Sequence, residues 1–245
     1  MTSLYERYAV DGKMATMAPE LTTGRKRSVR DDMLAAAVDL LNEHGPDELQ
    51  TRKVAGAAGT STMAVYTHFG GMQGLIAEVA QEGLRQFDTA QLVPRTDDPV
   101  ADLIATGAAY RRYAIERPHM YRLMFGSTSA HGITAPVQDV LTLKVAQVEQ
   151  DCPSFAHVVR GVDRCMRAGR FPAAGSADDA TVIATAAQFW SQLHGFVMLE
   201  LAGFYGDVGA AAGPVLDSMM ARLLVALGDP PEKVAQSQQA AKAAH

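Results

Sequence analysis

Small hydroxyl-bearing residues and aromatic residues alternate with alanines in one stretch of the sequence, TRKVAGAAGTSTMAVYTHFG, residues 51–70. Gly59 divides this stretch into two short helical patterns. The outer side of the second pattern carries small, mostly polar residues: Ser61, Thr62, Ala64 and Thr67. Side chains of this size fit the major groove of DNA, where hydroxyl groups meet base edges or phosphate oxygens, and the free N–H groups at a helix start favour phosphate. The spacing predicts a DNA-binding helix-turn-helix, with a compact helical corner that binds no ligand as the alternative.

A run of cationic residues lies just before the first helical pattern. Four of them fall within six positions, with no acidic residue between them: Arg25, Lys26, Arg27 and Arg30. A basic arm of this kind can follow phosphates or enter an adjoining minor groove, and its alternative is a solvated charge run. The net charge of -5 argues against coating nucleic acid without specificity, but it is compatible with such a local basic segment.

A second set of candidate residues is aromatic and lies in the C-terminal two-thirds of the chain. Trp190, the only tryptophan, precedes His194 by four positions, so the two side chains share a helix face. The other members of the set are Tyr110, Tyr113, Tyr121 and Phe125. Such groups can line a mainly apolar cavity that holds a small, largely apolar effector. The alternative is that they are packed core residues.

The sequence contains no pattern typical of catalysis or of metal binding. It has no HExxH, nucleophile elbow, glycine-rich phosphate loop or CxxC pair, and only two cysteines. We therefore expect no enzymatic activity, no metal and no cofactor. No segment has the apolar length of a signal peptide or a membrane span, which favours a cytoplasmic protein without a membrane partner.

Three helix starts are marked by a few adjacent residues. Ser28 with Asp31 and Ser176 with Asp179 have the spacing of a capping box, and Asp98-Pro99 is a good helix start.

Helical periodicity accounts for the chain without any convincing alternating strand. Two helices of two turns do not persist alone in water, so the pair at 51–68 needs the flanking patterns 29–43 and 72–89. The sequence predicts an all-α protein of about nine to ten helices, in which a three-helix DNA-binding domain precedes a larger helical ligand-binding and dimerisation domain. The predicted boundaries are 1–24 for a disordered leader, 25–80 for the DNA-binding domain, 81–228 for the larger domain and 229–245 for a flexible tail.

Residues Val29 to Ala80 resemble the DNA-binding domain of the tetracycline-repressor-like (TetR) transcriptional regulators. The family's marks follow in order: Ala36-Ala37, Gly45, Val54-Ala55, Ala58-Gly59, Tyr66-x-His68-Phe69 and Leu75. The resemblance implies that Thr51, Tyr66 and His68 contact phosphates and that Arg52 reaches the DNA. It also implies that Thr62, Met63 and Thr67 face base edges. One position departs from the pattern, because the family usually has a lysine where this chain has Met72.

The stretch QFWSQLHGFVMLELAG, residues 188–203, resembles the C-terminal domain of a TetR subgroup marked by Trp-x-x-x-His-Gly. This resemblance implies an effector-binding and dimerisation domain. It also implies that the helices near 177–203 and 214–227 pair with those of a second subunit in a four-helix bundle.

Taken together, these features predict a homodimeric, ligand-responsive regulator that binds double-stranded operator DNA. By the same resemblance it acts as a repressor that a small effector releases. The alternative is a helical small-molecule-binding protein or adaptor without specific DNA binding, for which Met72 is the supporting observation.

Overall fold

The computed structural model describes residues 28–125 and 139–243 of the chain. The predicted leader and the basic residues Arg25, Lys26 and Arg27 lie outside the described residues. Eleven α-helices and no strand occur in those two ranges, which confirms the all-α prediction and adds one helix to the expected number. The helices are α1 (Val29–His44), α2 (Thr51–Ala57), α3 (Thr62–Phe69), α4 (Met72–Ala90), α5 (Pro99–Glu116), α6 (Pro118–Phe125), α7 (Val145–Asp151), α8 (Pro153–Arg167), α9 (Asp179–Leu201), α10 (Ser218–Ala226) and α11 (Pro231–Ala243).

Helices α1 to α4 form the N-terminal unit. Ser28 caps α1 by accepting a bond from the Asp31 amide, and the Asp31 side chain accepts one from the Ser28 amide, so the capping box predicted from their spacing is present. Gly45, at φ 86°, ends the helix. The apolar faces of the four helices meet in one cluster, whose fully buried members include Met33, Ala37, Leu41, Val54, Val65, Leu75, Ile76 and Val79.

Helix α4 belongs to both units of the molecule. Near its start, Leu75 and Ile76 lie in the N-terminal core, and near its end Phe87 is buried among aromatic side chains of the larger unit. Gly83 lets α6 approach, because a β-carbon at this position would lie 2.9 Å from Met120 Cγ and 3.0 Å from Met124 Sδ. A methyl group would fit this contact only if the side chains of Met120 and Met124, or α6 itself, moved, so the glycine permits the close packing of the two helices.

The larger unit is built around α5, α8 and α9. Asp98 caps α5 by accepting bonds from the amides of Val100 and Ala101, as the Asp-Pro start predicted. The expected capping box of Ser176 and Asp179 is wrong. Asp178 is the cap of α9 and accepts a bond from the Thr181 amide at 2.9 Å, while the Ser176 hydroxyl donates to Asp178.

The C-terminal residues 231–243 form a helix, so the predicted flexible tail is wrong over this range. α11 packs along α5 and buries Val234, Ser237 and Ala241. It is held by polar contacts as well, since the Ser237 hydroxyl donates to Asp98 at 2.6 Å and the buried Asp229 pairs with Arg170. Small and polar side chains therefore dock α11, which explains why it lacks the apolar stripe of an ordinary surface helix.

Candidate nucleic-acid interface and effector cavity

The turn between α2 and α3 has the geometry that the opening stretch of the sequence requires. Gly59 has φ 64°, a conformation that favours glycine. The Thr60 amide donates to the Ala55 carbonyl at 2.9 Å, so a Schellman turn closes α2. Ser61 is extended and is the N-cap residue of α3, while Gln50 rather than Thr51 is the N-cap residue of α2. Backbone bonds close the turn, and packing of Val54 and Val65 in one core also holds the two helices.

The inner and outer faces of α3 differ sharply in burial. Val65 and Phe69 face the core, whereas Met63 and Tyr66 are 68% and 60% exposed. Thr62 and Thr67 are also exposed, and the Thr67 hydroxyl donates to the Met63 carbonyl at 3.1 Å. The helix thus presents a thin outer face to solvent, with one large apolar and one phenolic side chain on it.

The other residues predicted to contact DNA surround this face. Arg52 and His68 are exposed and Thr51 is half-buried at the start of α2. Neighbouring Lys53 is paired with Glu48, whereas Arg52 has no ion-pair partner in residues 28–125 and 139–243. Met72 is partly buried against the core at the start of α4. Here the methionine packs where the family usually has a lysine, so this position offers no cation to a phosphate.

An aromatic cluster joins α4, α5, α6 and α9 in the larger unit. The rings of Tyr110, Tyr113 and Phe125 lie 4.8–5.5 Å from Phe87, mostly edge to face. Trp190 lies 5.1 Å from the Tyr110 ring and 5.9 Å from that of Phe125. All six predicted effector residues therefore lie within one cluster.

Three members of this cluster form a polar triangle. The hydroxyl groups of Tyr110 and Tyr121 are 2.7 Å apart, and they lie 3.0 Å and 2.7 Å from His194 Nδ1. Burial raises the pKa of both phenols and lowers the pKa of His194, so all three groups are neutral near pH 7. Tyr113 is bound elsewhere, since its hydroxyl donates to the Gly83 carbonyl at 3.1 Å and burial raises its pKa to about 12.

A cavity of about 180 Å³ lies beside the cluster, between α5, α8, α9, α10 and α11. We call it the apolar cavity, because Leu103, Phe189, Met220 and similar side chains line most of it. Of the predicted effector residues, Tyr110 and Trp190 are on its wall, whereas Tyr113, Tyr121, Phe125 and His194 are not among its lining residues. Sequence reasoning missed its polar lining residues: Gln91, Thr106, Arg111, Asp217 and Gln238. No motif marked these five, and Gln238 belongs to the helix expected to be a tail.

Comparison with known families decides what this combination of units is. Residues 33–79 match the model described as bacterial regulatory proteins of the tetR family. Residues 103–223 match the tetracyclin repressor-like C-terminal domain. The chain belongs to the TetR family. The matches extend from α1 into α10, so α11 lies beyond the part that the family models describe.

Individual TetR relatives agree with this assignment. The HTH-type transcriptional regulator Rv1816 of Mycobacterium tuberculosis is 27% identical over 234 residues, which are 86% of this chain and 98% of that protein. The class A tetracycline repressor protein of transposon 1721 from Escherichia coli is 37% identical over 83 residues, only 34% of this chain and 38% of the repressor. A solved structure of a protein of unknown function from Rhodococcus sp. RHA1 is 26% identical, with a TM-score of 0.55, and covers 92% of this chain and 100% of its own.

As a TetR-family member, the chain is a ligand-responsive, DNA-binding transcriptional regulator. Its described helices include none with the length and hydropathy to cross a membrane. In the same residues, no group of three or more His, Cys, Asp or Glu side chains is arranged to hold a metal ion.

Proposed function

We propose that this TetR regulator is a homodimeric repressor, located with its operator DNA in the cytoplasm, that leaves the DNA when a small molecule fills the apolar cavity. The observation that carries the proposal is the outer face of α3. Thr62, Met63, Tyr66 and Thr67 are exposed there on a helix whose opposite face is anchored by Val65 and Phe69. Such a face enters a major groove without any rearrangement of the protein.

The assigned contacts rest on the resemblance to the family, and the exposure of these side chains supports them. We assign the Tyr66 hydroxyl to a phosphate contact, together with Thr51 and His68 at the two ends of the helix-turn-helix. Phosphate contacts fix the register of the protein on the duplex without reading the base sequence. Thr62, Met63 and Thr67 are assigned to base edges. Arg52 is assigned to the DNA because it is exposed and pairs with no carboxylate of residues 28–125 and 139–243. The arm at Arg25, Lys26 and Arg27 is assigned to the adjoining backbone or minor groove on its sequence alone.

A dimer places two α3 helices in two half-sites, roughly 34 Å apart on one side of the duplex. TetR regulators typically act as homodimers, and α9 offers a suitable surface. Along its exposed side Ala184, Gln188, Ser191 and Gly195 follow one another at helical spacing, and the 43% exposed Leu199 comes next. Nothing lies within 4 Å of a β-carbon added at Gly195, so a second helix can approach closely there. We assign α9 and α10 to a four-helix bundle with the partner.

Release follows from the position of α4. Its last turn leads into Gln91 on the wall of the apolar cavity, and its first turns pack on α3. An effector in the cavity shifts α4 and thereby the spacing of the two recognition helices. A coupling free energy of about 1–3 kcal/mol would lower operator affinity by roughly 5- to 150-fold.

The proposal assigns no catalytic step to the chain. His194 shares its Nδ1 with two phenol groups, those of Tyr110 and Tyr121. With both phenols neutral and bonded to each other, none of the three is set up as an activated nucleophile.

The test is binding of the protein to DNA from its own promoter, measured by fluorescence anisotropy over a range of salt concentrations. Tyr66→Phe should weaken binding about tenfold to a hundredfold, since a hydrogen bond to a charged group contributes about 1.5–3 kcal/mol. Replacing Arg25, Lys26 and Arg27 with alanine should flatten the salt dependence, because fewer counterions are released. Lys233→Ala, at an exposed position of α11, is the matched control and should change neither quantity.

Two results would contradict parts of the proposal. An unchanged salt slope in the triple variant would remove the arm from the interface. The wild type could also fail to bind both promoter DNA and a random pool of operator sequences. That result would favour the alternative function, a small-molecule-binding protein without specific DNA contacts.

A further inference from the structure

A second recess lies against the apolar cavity and shares lining residues of α5 with it. This recess, which we call the arginine cleft, has a volume of about 120 Å³. Gln91, Leu103 and Thr106 line both spaces, so the two are divided by side chains and not by a continuous wall of backbone. Their chemistry differs, because the cleft is lined by Arg95, Arg160 and Arg164 together with His157.

One of the three arginines, Arg164, is bound to groups of the protein itself. Arg164 donates to Asp102 at 2.7 Å and to the Thr96 carbonyl at 3.0 Å. Asp102, the one carboxylate lining the cleft, also accepts bonds from the Thr96 amide and hydroxyl. The charge of Asp102 is therefore balanced by Arg164, and the pair holds the segment before α5.

The positive charges of the other two arginines, Arg95 and Arg160, can bind a ligand. Arg95 is exposed and has no hydrogen-bond or ion-pair partner within the described ranges 28–125 and 139–243. Arg160 lies 3.1 Å from His157 Nδ1, and its contact with Glu149 is 3.5 Å long between half-exposed side chains. The far nitrogen of His157 is 2.7 Å from Asp88, so this ring accepts from Arg160 and donates to Asp88 as a neutral imidazole. The cleft thus carries a surplus of guanidinium groups, which bind carboxylate and phosphate in a bidentate manner.

The side chains between the two spaces are suited to a ligand that passes between them. Gln91 is 2% exposed, yet its amide makes only a 3.3 Å bond to the Phe87 carbonyl of its own helix. In the described parts of the chain, its side-chain oxygen accepts no hydrogen bond. Leu103 rests against Gly161, where a β-carbon would come within 2.8 Å of Leu103 Cδ1. A polar group and a leucine packed on a glycine therefore form the boundary.

The volumes of the apolar cavity and the arginine cleft support the binding of one ligand across both. Each is smaller than the roughly 300–1,000 Å³ of typical small-molecule sites, whereas together they reach about 300 Å³. We propose that the effector is an amphipathic anion, with its apolar body in the apolar cavity and a carboxylate or phosphate-ester head on Arg95 and Arg160. This inference rests on the proposed effector role of the cavity. It also connects the ligand to DNA binding, because displacing Gln91 acts directly on the end of α4.

The test uses decanoate, decyl phosphate and uncharged 1-decanol, each below its aggregation concentration, with Trp190 fluorescence as the readout. The single tryptophan lies on the wall of the apolar cavity and reports occupancy without DNA. We expect at least one of the two anions to bind tenfold or more tightly than decanol. The better of them identifies the head group as a carboxylate or a phosphate ester.

The variants separate the cleft from general charge effects. Arg95→Gln with Arg160→Gln should reduce the preference for the anion to less than threefold while leaving decanol binding intact. Arg95→Gln alone should lose part of the preference for the anion. It is not expected to affect folding, because Arg95 is exposed and has no partner among the residues that the structure describes. The control is Arg167→Gln. Arg167 lies on α8 like Arg160, but it is outside the cleft and paired with Asp163, so this variant should keep the full preference for the anion.

Equal affinity for anion and alcohol, an undiminished preference in the double variant, or no binding of any of the three would overturn the inference. Failure of the proposed function is a different result. In that case the anion binds with the expected preference, but operator affinity stays the same at saturating ligand.

Discussion

Replacing Arg170 with leucine should detach α11 from the larger unit. The guanidinium group of Arg170 lies in the turn after α8 and binds Asp229 through two nitrogens, at 2.5 Å and 2.7 Å. It also donates to Asp98 at 2.9 Å and to Ser237 at 3.1 Å. One side chain therefore joins the end of α8 to the cap of α5, to Asp229 before α11 and to Ser237 within α11.

The expected effect is large because the partners are buried. The side chain of Asp229 is 0% exposed and that of Arg170 is 14% exposed. Removing one member of a buried ion pair leaves an uncompensated charge and destabilises a protein by about 3–5 kcal/mol. For a chain of this size each kcal/mol shifts the melting temperature by about 2–4 °C, so Arg170→Leu should lower it by roughly 6–20 °C.

Two measurements test this expectation: thermal unfolding followed by circular dichroism, and hydrogen exchange of the amides at 231–243. Both the melting temperature and the protection of α11 should fall in Arg170→Leu. Adding Asp229→Asn to the Arg170 variant should cost less than the sum of the two single changes, with a coupling of about 0.5–3 kcal/mol.

Arg167→Leu is the matched control, three positions earlier and paired with Asp163 at the surface, and it should melt like the wild type. If Arg170→Leu melts within 2 °C of the wild type, or if α11 keeps its protection in that variant, the network does not hold the helix and the reasoning is refuted.

Two further predictions concern packing and pH. Gly83→Ala should destabilise the fold by about 1–3 kcal/mol, because its β-carbon would lie 2.9 Å from the buried Met120. Gly56→Ala has the opposite expectation, since nothing lies within 4 Å of its β-carbon and alanine favours a helix by about 1 kcal/mol; urea unfolding of both variants distinguishes the signs. Burial lowers the pKa of His194 and that of His157, the latter despite the nearby Asp88. Below about pH 6.5 the unfolded chain takes up protons that these folded rings resist, so the free energy of unfolding should fall between pH 7.5 and 5.5. A flat or rising profile would contradict the assignment of neutral, buried rings.

Local chemistry explains which elements could be predicted from the sequence. The capping box at Ser28, the left-handed turn at Gly59 and the Asp98-Pro99 start each depend on a few adjacent residues, and each is present. The spacing of Ser176 and Asp179 predicts Ser176 as the cap of α9, whereas Asp178, directly before the helix, is the cap. Competition between two nearby caps is decided by the path of the preceding chain, which short spacing rules do not describe.

Contacts between distant residues explain what could not be predicted. α11 depends on Arg170 and Asp98, which are 67 and 139 positions from Ser237, and its own buried residues are small or polar. The positions of the aromatic residues could not be predicted for a different reason, since aromatic side chains fit a packed core and a cavity wall equally well. Tyr110 and Trp190 reach the cavity wall, while Tyr113 is bound to the Gly83 carbonyl and Tyr121 to its polar neighbours.

The packing of α6 determines what a ligand near Gln91 can do to the DNA-binding unit. α4 has 19 residues and is about 28 Å long, so a tilt of about 5° moves one end by about 2–3 Å relative to the other. α6 lies against α4 at Gly83 and against α1 through His119, whose ring would be 3.1 Å from a β-carbon at Gly45. Because α6 contacts both helices, a tilt of α4 carries α1 with it, and the N-terminal unit moves as one body. The effector is therefore expected to change the distance between two intact recognition helices, and not to unfold them. Loosening α6 with Gly83→Ala should then weaken the response to ligand more than it weakens DNA binding itself.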